Sequence, residues 1–163
     1  MSAIDITKDL DNATLVVTSV FTASPERVWR LWADPRQLER WWGPDPYPAT
    51  VVDHDLRPGG HVSYYMTGPD GDQPKGYWRV IEVEPPHRLV FEDGFADDAG
   101  EPNDELPVSR AVVTIDALDD TRTRMTINSV YDTTAELEQV LAMGMEQGIR
   151  AAVEQIDALL AEG

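Results

Sequence analysis

The chain has no cysteine, which excludes disulfides, thiolate metal sites and cysteine nucleophiles together and suits a reducing compartment such as the cytoplasm. Basic residues are scarce: 13 Lys and Arg stand against 30 Asp and Glu, a net charge of −17 with a pI near 4.3. A surface of that charge repels phosphate backbones and anionic lipid, so neither nucleic acid nor a membrane is an expected partner. No apolar run approaches the roughly 20 residues of a membrane span. The first ten residues, with Asp5, Lys8 and Asp9 among them, read as neither a signal peptide nor an anchor. Also missing are a glycine-rich phosphate loop, a nucleophile elbow, a His-Glu-x-x-His pair and any internal repeat. What remains is a chain of 163 residues, sized for one domain that buries about 70% of its unfolded surface without staples.

The strongest pattern present lies at the end, from Thr133 to Gly163. At about 100° per residue, Leu137, Leu141, Met145, Gly148, Ile149, Ala152, Val153, Ile156, Leu159 and Leu160 share one side, and Glu146, Gln147, Arg150, Glu154 and Asp157 the other. This predicts a single long amphipathic helix of about 45 Å, opened by a Thr133–Glu136 capping box. Gly144 and Gly148 interrupt its apolar seam. A helical glycine costs about 1 kcal/mol against alanine, so the pair calls for either close backbone approach to a strand or room for a guest.

Upstream, Ala13 to Ala23 is rich in β-branched residues and reads as a strand. Ser24-Pro25 then starts a short helix with Val28, Trp29, Leu31 and Trp32, and Asp34-Pro35 a second with Leu38 and Trp41-Trp42. Six short runs separated by turn residues follow: Thr50 to Leu56, His61 to Thr67, Gly76 to Glu84, Arg88 to Phe95, Val108 to Leu118 and Arg122 to Tyr131. Between the last two pairs, Asp97 to Pro107 is an acidic loop with little reason to order. The order predicts an α+β domain over 13–162, with 1–12 as an extension: a curved antiparallel sheet wrapped around a long C-terminal helix, with two short helices after the first strand. The exposed Trp41-Trp42 segment is the candidate patch for a homodimer.

The run Ala23-Ser24-Pro25-Glu26-Arg27-Val28-Trp29, with Asp34-Pro35, Trp41-Trp42-Gly43-Pro44, Asp55-Leu56-Arg57-Pro58-Gly59-Gly60, Met66, Glu84-Pro85-Pro86-His87-Arg88-Leu89-Val90-Phe91 and Gly148, resembles the bacterial branch of the START-like (SRPBCC) superfamily. More narrowly it resembles the family named after the activator of the heat-shock-protein-ninety ATPase. The resemblance spans about Leu15 to Leu160 and implies a helix-grip fold with a hydrophobic cavity between sheet and C-terminal helix. It does not imply one reaction, since members range from lipid or polyketide binders and cyclases to resistance proteins and co-chaperone domains. The acidic loop is longer than usual for the family, and Ile149 stands where an aromatic residue is common.

The leading expectation is therefore binding of an apolar, lipid-like or polyketide-like small molecule, without a catalytic constellation, cofactor or metal. Its lining is expected from Met145, Gly148, Ile149 and Ala152 on the helix and Tyr64, Met66, Trp78 and Phe91 on the sheet, with Trp32 and Trp42 near the mouth and His54 as a polar member. A cyclase or hydrolase is the alternative, for which His54, Arg79 and Glu138 are the polar candidates. A third reading is a domain that docks a chaperone or regulator. Asp53 and Asp55 cannot readily meet His54, because neighbours on a strand point to opposite faces. His54 and His61 flank a turn but lack a third metal ligand, and the acidic loop fails the calcium-loop spacing.

Overall fold

The computed structural model of the protein describes residues 4–162. Ile4–Asp9 (β1) pairs antiparallel with Thr14–Phe21 (β2) from Ile4 opposite Ser19 to Asp9 opposite Thr14. The segment expected as an extension thus adds an edge strand to the sheet. Its pattern is weak because only Ile4 and Ile6 turn toward the core, while Asp5, Thr7 and Lys8 are exposed.

Two helices leave the end of β2. Pro25–Ala33 (α1) is capped by the Ser24 hydroxyl, which accepts from the Arg27 backbone N–H at 3.2 Å. Pro35–Trp42 (α2) is capped in the same way by Asp34 on the Arg36 N–H at 2.9 Å. Proline at the first helical position loses no hydrogen bond and fixes the entry angle. The chain then meanders through Ala49–His54 (β3), His61–Met66 (β4), Lys75–Glu84 (β5), Arg88–Ala96 (β6), Ser109–Ala117 (β7) and Thr123–Val130 (β8). The spatial order is β1-β2-β8-β7-β6-β5-β4-β3. The helical pair therefore carries the chain from one side of the sheet to the far edge, and the meander returns it to β2.

The C-terminal segment departs from the single helix that its period predicts. Thr134–Ala142 (α3) starts from the Thr133 cap and ends at Gly144, whose φ of +93° is left-handed. Met145–Glu154 (α4) and Ile156–Ala161 (α5) follow. Glycine alone enters that conformation freely, which makes it the usual helix stop. The break lets two halves bury different surfaces. Leu137 and Val140 of α3 join Ala13, Leu15 and Tyr131 in a small apolar cluster, while Ala152, Val153, Ile156 and Leu159 complete the main core.

That core is centred on tryptophan. Trp32, Trp41 and Trp78 are fully buried, and Trp32 packs edge-on against Trp41 with ring centroids 4.9 Å apart. The Trp41 indole N–H donates to the Leu31 carbonyl at 2.9 Å. Trp41 is thus interior and Trp42 half-buried, so the pair is less exposed than its sequence position suggests. Residues beyond β6 are also more ordered than their acidity suggests. The Asp97 carboxylate accepts from the backbone N–H of Ala99 and Glu101, and Ala96 bridges to Pro102. A side chain that satisfies its own turn holds such a segment without a hydrophobic contribution.

Candidate functional site

A pocket of about 190 Å³ lies between α4 and the inner face of the sheet. Helix α4 contributes Met145, Gly148, Ile149 and Ala152, spaced to share one face. The sheet contributes Leu15 and Val17 from β2, Ala111 from β7, and Ile127 and Ser129 from β8. Phe91, Asp93 and Phe95 alternate inward along β6. Trp42 ends α2 and Pro44 follows it, and Tyr64 and Met66 come from β4. Gly94, Pro107 and Tyr131 complete the wall.

Two glycines shape this space. A Cβ on Gly76, opposite Tyr64 in the sheet, would collide with the Tyr64 hydroxyl, so Gly76 lets that ring lie across β5. A Cβ on Gly148 would meet only Pro44 Cγ, at 3.9 Å. Gly148 thus faces open space, not a closely approaching strand.

The polar groups of the pocket are few. Asp93 stands in β6 between Phe91 and Phe95, opposite Trp78 on one side and Ser109 on the other. Burial pushes its carboxyl up to about 7, because an enclosed negative charge loses its water without gaining a counter-charge. No described residue donates a hydrogen bond to it, and its remaining accessible surface is that of a pocket-lining group. Burial, reinforced by the Asp93 charge, raises the Tyr64 hydroxyl well above its ordinary range and lifts Tyr131 to about 12. Both phenols therefore stay neutral. The Trp42 indole N–H lies near the Tyr64 hydroxyl, which favours the phenolate, but is buried without a partner of hydrogen-bond geometry.

The sequence model of the family described as "Activator of Hsp90 ATPase homolog 1-like protein" matches residues 22–161. The chain belongs to this family. A crystal structure of a Mycobacterium smegmatis protein is 51% identical, with 97% of each chain covered and a TM-score of 0.89. A solution structure of an Arthrobacter aurescens protein is 46% identical, with 98% of this chain and 92% of that one covered and a TM-score of 0.93. A Rhodobacter sphaeroides protein, 24% identical with both chains fully covered and a TM-score of 0.82, shares the fold. A search of curated proteins finds no match. The α+β helix-grip architecture of the START-like superfamily is thus that of the family to which the chain belongs.

Within that family fold, the residues expected to line a cavity divide. Trp42, Tyr64, Met66, Phe91, Met145, Gly148, Ile149 and Ala152 line the pocket. Trp32 does not, being enclosed beneath it with its indole N–H on the Met125 sulfur at 3.4 Å. Trp78 stacks on Phe91 with centroids 4.1 Å apart and supports the floor without surfacing. His54 points elsewhere, its Nε2 donating to the Trp32 carbonyl at 2.9 Å. The polar candidates for catalysis are scattered: Glu138 is exposed on α3, and Arg79 is paired with Glu92 on the outer face at 3.2 Å. Asp93 and Tyr131 were not anticipated. Strict alternation from Leu89 and Phe91 puts Asp93 on the inward face, which was the available signal. Among the described residues no cluster of three or more His, Asp or Glu is placed to hold a metal, and no helix is long and apolar enough to cross a membrane.

Proposed function

We propose that this protein is a cytoplasmic binding protein that encloses one small, mostly apolar molecule between α4 and the sheet. The observation that carries this reading is the pocket lining: aliphatic and aromatic side chains surround a handful of convergent polar groups, the composition typical of small-molecule sites. The open space at Gly148 adds support, because a packed seam would have selected a larger residue there. A partly open volume near 190 Å³ suits a guest of one or two rings, since a cavity of about 150 Å³ already holds benzene.

Native mass spectrometry of the protein purified from its own host tests this, with Ala152→Phe as the comparison. Ala152 is buried and lines the pocket, so phenylalanine there should fill the space at little cost in stability. The expected result is an adduct of constant mass on the parent protein and none on the variant. Bare parent protein, together with a large fall in the unfolding midpoint of Ala152→Phe, would mean that the interior is packed rather than vacant.

A further inference from the structure

The charge inventory of the pocket restricts its guest. Among the described lining residues Asp93 is the one carboxylate, and none is Lys, Arg or His. A fatty acid or phosphorylated guest would place an anion beside Asp93, either as a second charge or at the cost of keeping Asp93 protonated, in a low-dielectric space with no cation to pair with it. Asp93 keeps part of its surface in the pocket and no described residue pairs with it, so its carboxylate is the place in the lining where a guest can supply a donor. Charge-assisted N–H···O bonds are the strongest way to do so.

The walls point the same way. Trp42, Tyr64, Phe91, Phe95 and Tyr131 surround the space with aromatic rings, and an organic cation is attracted to such faces where an anion is not. The phenols of Tyr64 and Tyr131 remain neutral, so they add hydrogen-bonding capacity without competing charge.

Resting on the pocket reading above, we infer that the guest is a small hydrophobic amine whose ammonium group pairs with Asp93 while its ring or chain lies against Ile149, Ala152 and Phe91. The preference is a property of one side chain in the pocket and is separable from the general attraction of a −17 protein for cations.

Three probes of one size and different charge test it: 2-phenylethylamine, 2-phenylethanol and phenylacetate, titrated calorimetrically at about 0.15 M salt to screen the surface. The Trp42 indole N–H resonance reports occupancy of the pocket. The amine is expected to bind about tenfold or more tighter than the alcohol, a difference of about 1.4 kcal/mol, with phenylacetate weakest. In Asp93→Asn the amine should fall to the level of the alcohol, whose own affinity stays within about threefold. Asp93→Leu is the second variant, should the asparagine protein fail to fold. Phenylacetate binding as tightly as the amine, or an amine preference that persists without Asp93, overturns the inference. If the alcohol shifts the Trp42 resonance and the amine gains nothing over it, the amine assignment falls and the pocket reading stands. If none of the three probes shifts it, both fall.

Discussion

Asp93 opposes folding whenever it is ionised. Its carboxyl has a pKa of about 3.9 in an unfolded chain and about 7 in the folded protein. Between those values the folded state holds a proton that the unfolded chain has released, so stability falls as pH rises through this window. Below it both states are protonated and the penalty is absent; above it the penalty is complete. Asp93→Asn removes the titration, so denaturant unfolding at pH 8 should show the variant more stable by on the order of 2–4 kcal/mol. That advantage should shrink steadily toward pH 5. A gain that does not change with pH would show that the carboxyl is not enclosed as described. The position was legible, because period two along Leu89, Phe91, Asp93 and Phe95 points all four inward. Its significance was not, because the Tyr64 and Tyr131 hydroxyls that feel its charge come from β4 and from just beyond β8.

The elements that local chemistry specifies could be read directly. Ser24-Pro25, Asp34-Pro35 and Thr133 are caps whose side chains bond backbone N–H groups a few residues ahead, and the six-strand meander follows its turn residues. The break at Gly144 could not be read, because a glycine inside a helix and a glycine that ends one look alike in sequence. What separates them is that α3 and α4 bury against different clusters, a property of the folded chain. The two glycines should therefore respond oppositely to alanine. At Gly148 the backbone is helical and the nearest atom to an added Cβ is 3.9 Å away, so Gly148→Ala should stabilise the protein by up to about 1 kcal/mol and narrow the pocket. At Gly144 the φ of +93° strains any L side chain, and Gly144→Ala should destabilise by about 1–2 kcal/mol. Thermal unfolding of the pair checks this, and a shift of the same sign at both sites would contradict the geometry.

For the molecule as a whole, association depends on what the sheet leaves uncovered. Its edges are β1 and β3, and unpaired edges invite a second copy unless something blunts them. β1 carries Asp5, Lys8 and Asp9. β3 has a register shift between Val51 and Asp53, and such a bulge turns the edge away from flat pairing. The large apolar residues that are exposed, including Leu10, Val52, Leu118 and Met143, come from separate turns, strands and helix ends, whereas the aromatic residues are buried or half-buried. Against these weak attractions stands a net charge of −17, which repels a like copy and is screened over about 10 Å at 0.1 M salt. If repulsion alone prevented a dimer, adding salt would reveal one. Because Trp41 is inside the fold and Trp42 is half-buried, light scattering should give the monomer mass of 18.2 kDa at both low and high salt. A dimer that appears only at high salt would locate an apolar face that charge had hidden, and a dimer at both would mean that one of the two edges pairs despite its charges and bulge.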